Sequence, residues 1–461
     1  MNRPPSSQTP ALWNLLRWII QPIEYLDECA HRYGDCFALD FGTSHPFVFF
    51  NDPKAVEQLF TAPIGSFDSG RANWILRRTL GDNSLLLLDG ERHQRQRQLI
   101  MPPFHGERMR AYGEIICQIT ERVTQQWKPG VPFSVRPAMQ EISLRVIMQA
   151  VFGLAEGDHP QTDRYEQLKS VLDNFLKLTA SRFGFAMGLF PLLQKDLGPW
   201  TPGAKFNRMK QEIDTLLYAE IQERRANFDP QRSDILNLLL SAQDETGQSM
   251  TDEELRDELI TLLLAGHETT ATALSWALYW IHQLPDVREK VLAELQALGS
   301  DPEPLAIARA PYLSAVCAET LRIYPVALIT EIRIAKASVQ VMGYDFEPET
   351  MLTPCIYLIH QREDLYPNPR QFKPERFLER QYSPYEYLPF GGSNRRCIGA
   401  AFALFEMKLA LATILTNYHL ALADDRPVKP MRRGVTVAPK GGINLTVKEL
   451  RQSETKAAAV L

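Results

Sequence analysis

Two short apolar runs, residues 36–40 and 46–50, flank Gly42-Thr43-Ser44 and predict a β-hairpin. Beyond them the apolar positions recur every third or fourth residue. That period predicts helices over 107–127, 138–153, 163–180, 203–226, 233–241, 252–284, 286–297, 311–323 and 398–416. Strand patterns return only near 332–341 and 434–447. The fold class is therefore mostly α with a small β part. No repeat, low-complexity block or linker interrupts the chain. One domain over 1–461 is expected, with 1–20 as an N-terminal extension and 453–461 as a flexible tail.

One helix stands out. Thr251 and Glu254 form a capping-box start and Pro285 a stop, so the pattern between them runs for about 50 Å. LITLLLAG and ATALSWALYWI are apolar nearly all round, which places this helix in the core. Its middle nevertheless carries Gly266-His267-Glu268-Thr269-Thr270. Buried Glu and Thr need partners or a function. A hydroxyl bonding a carbonyl one turn back also bends a helix. This notch is a candidate site for a small ligand and water.

Composition narrows the class. The 461 residues are 45% hydrophobic and 23% charged, with net charge -5. There is no basic field for nucleic acid. Six cysteines lack any C-x-x-C pair or disulfide spacing, which fits a reducing cytoplasm. The apolar stretch near the N-terminus is broken by Asn14 and Arg17, far short of the ~20 residues that span a bilayer. No transmembrane anchor is expected, and at most a weak amphipathic surface contact.

The chemistry gathers at FGGSNRRCIGAAFALFEMK, residues 390–408. A helix predicted just after Cys397 aims unpaired N–H groups and its dipole at the sulfur, favouring a thiolate. Glycines on both sides allow close approach to a flat partner, and Arg395 and Arg396 add positive charge. A lone cysteine is ordinarily a buried hydrophobe, and a nucleophilic one wants a histidine, which is not nearby in sequence. A single thiolate on haem iron fits better.

This stretch resembles the cysteine-ligand loop of the cytochrome P450 family, F-G-x-G-x-R-x-C-x-G. Phe390, Gly391, Arg395, Cys397 and Gly399 match in register, and Ser393 stands where the pattern prefers glycine. The resemblance implies haem b as cofactor and Cys397 as its iron ligand. It also implies Arg395 on a propionate, Phe390 against the sulfur side, and Gly399 letting the following helix approach the porphyrin. The implied fold has the long central helix over haem and the cysteine loop on the opposite face. Further signatures follow in family order over roughly residues 20–450. Glu319-Thr320-Leu321-Arg322 is similar to E-x-x-R, and Pro374-Glu375-Arg376-Phe377 to P-E-R-F, so Glu319, Arg322 and Arg376 would form a structural trio. Ala265-Gly266-His267-Glu268-Thr269-Thr270 is similar to the oxygen-activation segment. Glu268 and Thr269 would be its acid–alcohol pair, Ala265 would lie against the haem, and Gly266 would leave room for oxygen. His93 and Arg97, one helical turn apart, and Arg333 match the family's propionate-binding positions.

The implied activity is a soluble monooxygenase inserting one atom of O2 into a lipophilic substrate such as a fatty acid, terpene or steroid. The family's substrate-facing regions map onto Trp74, Ile75, Leu85, Leu262, Leu263, Val326, Ala327, Leu328, Ile329, Val435 and Val437, with Phe183 or Phe185, and onto Ala265 and Thr269. Arg71, Arg77 or Arg78 could hold a substrate carboxylate. A separate ferredoxin or flavodoxin with its reductase would supply electrons, docking on a basic patch of Arg92, Arg95 and Arg396. The alternatives are a peroxide-dependent haem-thiolate enzyme, which would not need the acid–alcohol pair, and a non-catalytic haem sensor.

Overall fold

The computed structural model describes residues 2–104, 108–153, 162–179, 195–196, 198, 200–424 and 426–451. Phe183, Phe185 and the tail 453–461 lie outside these residues. The fold is mostly helical with small β-sheets. The long helix spans Asp252–Gln283 and has the predicted capping box: Glu254 N donates to Thr251 Oγ1 at 3.1 Å, and Thr251 N to Glu254 Oε2 at 2.9 Å. Leu255, Leu259, Leu263, Leu274, Trp276 and Ile281 are fully or almost fully buried on it. It packs against Val135–Phe152, Pro311–Ile323 and Ala400–Asn417. Ala400–Asn417 is long and apolar enough to cross a membrane, but most of it is buried in the core.

The hairpin is antiparallel, pairing Cys36 with Phe50 and Leu39 with Phe47. It forms one side of a five-stranded sheet, in the order Cys36–Leu39, Phe47–Phe50, Met351–Pro354, Arg333–Ala335, Phe67–Asp68. The pattern at 332–341 divides into Arg333–Ala335 and Val339–Val341, because the chain leaves the sheet at the exposed Lys336. Val339–Val341 then pairs with Tyr344–Phe346 across Met342 and Gly343, both at positive φ. The pattern at 434–447 likewise divides, into Thr436–Pro439 and Asn444–Leu450. Helices Ala11–Ile20, Pro22–Tyr33 and Pro53–Thr61 are additional to those predicted. The last two open on a proline at the first turn, a start signal independent of apolar period.

Glu319, Arg322 and Arg376 meet in the interior. Arg322 Nε and Nη2 donate to the two Glu319 oxygens at 2.6 and 2.8 Å, and Arg376 Nε donates to Oε1 at 3.1 Å. Arg322 also donates to the carbonyls of His360 and Pro369, both at 2.7 Å. The trio thus ties helix Pro311–Ile323 to the segment that leads into the cysteine loop. A buried ion pair that loses one partner leaves an uncompensated charge. Glu319→Gln is expected to cost about 3–5 kcal/mol in urea unfolding, as for other broken buried pairs. A loss below about 1 kcal/mol would show that the two guanidiniums find other acceptors.

Candidate active site

The cysteine loop is shaped by close contacts. Gly391 has φ 64°, and its N–H donates to Leu388 O at 3.0 Å. A Cβ at Gly392 would fall 2.1 Å from the Phe60 ring, so no side chain fits. Cys397 N then donates to Phe390 O at 3.0 Å, closing the loop. Gly399 caps helix Ala400–Asn417, and its N–H lies beside Cys397. The sulfur faces a cavity yet is enclosed by protein. Burial raises the Cys397 thiol, against the lowering by the Gly399 N–H, Arg97 and Arg396. The helix-end effect expected from sequence is present but smaller than desolvation, so a thiolate here calls for a further positive charge such as a metal.

The cavity has a volume of about 320 Å³. Phe390, Gly391, Cys397 and Gly399 form one stretch of its wall, and Ala265, Gly266 and Thr269 of the long helix another. Leu85, Leu262, Val326, Ala327 and Ile329 form an apolar part of the wall, and polar side chains that include Asn73 and Thr261 also line it. Six predicted lining residues are elsewhere. Trp74 and Ile75 line a separate, more open pocket with Arg77, Arg78 and Lys210. Leu328 and Val437 are core residues. Their backbones are engaged, Leu328 O with Tyr357 N and Val437 O with Trp276 Nε1. Leu263 is likewise in the core, and Val435 is exposed in the turn between two strands.

His93, Arg97 and Arg395 converge on the cavity, together with Arg396 and an acid, Glu331. Burial, with Arg395 and Arg97 nearby, brings the His93 imidazole down to about 4. Burial also lowers Arg97 and Arg395 and raises Glu331. Arg97 has no hydrogen-bonded carboxylate among the described residues. A cavity that concentrates enclosed cationic donors beside an apolar slot and a thiol fits a flat, apolar dianion bound through a metal, as haem is. Arg333 does not reach the cavity. It is buried behind it, over the Phe60 and Phe67 rings at 5.1 and 5.9 Å.

One feature of the notch differs from expectation. Gly266 lines the cavity, and a Cβ on it would lie 3.1 Å from Ile147 Cδ1, so this glycine also serves the close approach of two helices. Glu268 does not line the cavity. Its carboxylate is paired with Arg136, accepts from Gln140 Nε2 at 2.9 Å and lies 3.4 Å from Arg433 Nε. Thr269 does face the cavity, and its hydroxyl donates to Ala265 O at 2.6 Å, leaving its lone pairs free.

Within the expected basic docking patch, Arg95 is held by Asp244 at 2.5 Å and Glu254 at 2.9 Å, while Arg92 and Arg396 are exposed and Arg92 donates to Asn83. Of the arginines considered for a carboxylate, Arg71 pairs with Glu349 at 3.0 Å and Arg77 with Asp82, while Arg78 reaches Asn207.

Sequence reasoning missed Asp89. One of its oxygens accepts from Ser69 N at 2.7 Å, Gly70 N at 2.8 Å and Arg395 Nη2 at 2.6 Å, and the other from Arg71 N at 2.9 Å. It also occupies the N-cap of helix Gly90–Ile100, which carries His93 and Arg97. The Asp-Gly pair before ERHQRQR was a legible helix start. Glu331 was missed too, beside Arg333, as were Arg136 and Arg433, which reach Glu268 from distant segments.

The fold and this cavity define a haem-thiolate protein. The chain belongs to the cytochrome P450 family, whose model matches residues 3–447. Among curated relatives it is 36% identical to a protein of Mycobacterium tuberculosis H37Rv described as cytochrome P450 135B1, over all of this chain and 94% of that protein. It is 31% identical to a Mycobacterium bovis protein described as cytochrome P450 138, over 95% of each chain. Among solved structures it is similar to cyanobacterial CYP120A1 bound to retinoic acid. That likeness has a TM-score of 0.83 and 25% identity, and covers 98% of this chain and 100% of that one. Family members use haem b with a cysteine thiolate ligand.

Two outcomes follow from this geometry. Asp89→Asn removes the charge from a hub of four hydrogen bonds. It should cost about 2 kcal/mol in denaturant unfolding and speed haem transfer to an acceptor protein. Ser393 sits at φ 59°, and its hydroxyl makes only a 3.5 Å contact with Asn394. Ser393→Gly is expected to gain up to about 1 kcal/mol, read as a raised thermal midpoint with an unchanged haem spectrum.

Proposed function

We propose that this protein is a haem-thiolate monooxygenase that hydroxylates a lipophilic small molecule, using O2 and electrons from a separate ferredoxin- or flavodoxin-type carrier. The observation that carries the reading is the shared wall of one apolar cavity: the Cys397 sulfur on the loop and the Thr269 hydroxyl on the long helix. Cys397 would hold the iron, while His93, Arg97 and Arg395 bind the propionates. Arg333 adds its charge from behind the wall. Haem, when bound, supplies dioxygen activation and oxygen transfer.

The chain's own residues supply binding, exclusion of water and control of protons. Leu85, Leu262, Val326, Ala327 and Ile329 offer a substrate no hydrogen-bonding side chain, which selects for apolar skeletons. Retinoic acid in the similar cyanobacterial structure is a ligand of that kind. Thr269 Oγ1 accepts a proton donor in the cavity while giving its own hydrogen to Ala265 O. Glu268, one residue back, would relay protons towards Thr269 from the far side of the helix, where Arg136, Gln140 and Arg433 hold its carboxyl group. The acid–alcohol pair supports O2 rather than peroxide as oxidant.

Reduction under carbon monoxide should give the red-shifted Soret band of a thiolate-ligated haem, and Cys397→Ser should abolish it. Turnover with a ferredoxin, its reductase and O2 should exceed that with peroxide alone. Thr269→Val should lower product formed per electron by about 10²-fold or more, the usual scale of lost general acid–base help. Equal turnover of wild type and Thr269→Val with peroxide, and none with reductant, would favour the peroxide-dependent reading instead.

A further inference from the structure

The helix Ala11–Ile20 is amphipathic in the wrong sense for a water-facing helix. Its one uncharged polar residue, Asn14, is completely buried. Asn14 Nδ2 donates to Asp40 O at 2.9 Å and Thr9 O at 3.2 Å, and its Oδ1 accepts from Tyr25 Oη at 2.6 Å. Trp18, also on the inner face, lies against Phe41 and Phe49, with the Arg432 guanidinium 4.2 Å over its ring. These contacts fix the rotation of the helix about its axis. The outer face is then Leu12, Trp13, Leu16 and Ile20, which are 64%, 60%, 37% and 52% exposed. Turning this stripe inward would break the buried bonds of Asn14, so the chain cannot cover it by rotating the helix.

We propose that this face docks the protein on the surface of a lipid bilayer. Three observations choose lipid over a second protein. The four side chains expose roughly 400 Å², about half of the ~800 Å² per partner that a stable protein interface buries. The ten-residue helix is far too short to span a bilayer but long enough to lie along its interface. The stripe contains a tryptophan among aliphatic residues, the composition that settles at the headgroup boundary. Charge has little part in it. Arg17 is neutralised by Glu28 at 2.6 Å and stacked on Tyr25, and Arg3 is paired with Glu347 at 2.7 Å. Docking is thus driven by apolar burial, and neutral lipid suffices. The inference is independent of the reaction assigned to the cavity.

Flotation of the purified 461-residue protein with phosphatidylcholine vesicles tests it. The protein should float with the vesicles, equally well when phosphatidylglycerol is added, and in high salt. Trp13→Glu with Ile20→Glu should lower the partition at least tenfold while leaving far-UV circular dichroism and the haem spectrum unchanged. Leu12→Ser with Leu16→Ser, a milder pair, should lower it several-fold and stands in should the acidic pair fail to fold. Wild type that stays in the aqueous fraction, or folded variants that float as well as wild type, would overturn the proposal. Binding only to anionic vesicles that vanishes in salt would overturn it in favour of an electrostatic contact. A dimer in sedimentation equilibrium that the same substitutions split would overturn it in favour of a second copy of the chain.

Discussion

A helix that crosses a protein core with polar side chains must satisfy them where water does not reach. Helix Asp252–Gln283 meets this constraint along much of its length, and its partners are what build the cavity. Asp257 accepts from Asn83 N at 2.8 Å and Glu258 from Leu85 N at 2.7 Å. Thr261 Oγ1 lies 2.8 Å from Ser84 Oγ. Three consecutive residues of one loop are thereby hung on successive turns of one helix. That loop supplies Leu85 and Leu86 to the cavity wall. Burial drives the Glu258 carboxyl well above its usual range, which disfavours a buried charge at this anchor. Further along, Glu268 remains beside the guanidiniums of Arg136 and Arg433. Two acidic side chains on one helix are thus held by different partners, a backbone N–H in one case and guanidiniums in the other.

The far end of the same loop is tied to the cysteine side. Asp89 binds Arg395, two residues before Cys397, and the backbone of Ser69, Gly70 and Arg71. The Glu319 trio fixes the approach to the cysteine loop from behind. The two parts of the cavity wall are therefore connected through hydrogen-bonded carboxylates as well as through apolar packing. Such connection suits a site that must hold its geometry around a rigid planar cofactor.

What could be read from sequence depended on distance along the chain. The long helix, its capping box and the loop around Cys397 rest on local rules of period, capping and turn chemistry, and the structure has them where expected. Ser393 at positive φ follows from its replacing a glycine. Trp74, Leu328 and Val437 were placed by mapping the family's substrate-facing regions onto segments whose side-chain directions are set by tertiary packing, and there the reading missed the cavity. The same holds for Arg95, which reads as a solvated cation until Asp244 and Glu254 come up to it. Glu268 is the instructive case. Its burial was legible, but its direction was not, because Arg136 lies 132 positions away on another helix.

Buried polar groups and exposed apolar ones are two breaches of one rule, and the chain shows both. On the central helix the breach is internal, and the chain answers it with its own loops, one polar group at a time. On helix Ala11–Ile20 the order is reversed: the asparagine is inside and satisfied, and the leucines, isoleucine and tryptophan are outside. The stripe could have been removed by a few polar substitutions at little cost to the packing beneath, since Asn14, Arg17 and Trp18 make the contacts that hold the helix. A cavity with the proposed lipophilic substrate would gain from such a stripe, because these compounds partition into bilayers and are scarce in water. The proposed docking would raise the rate of encounter without altering a single residue of the cavity.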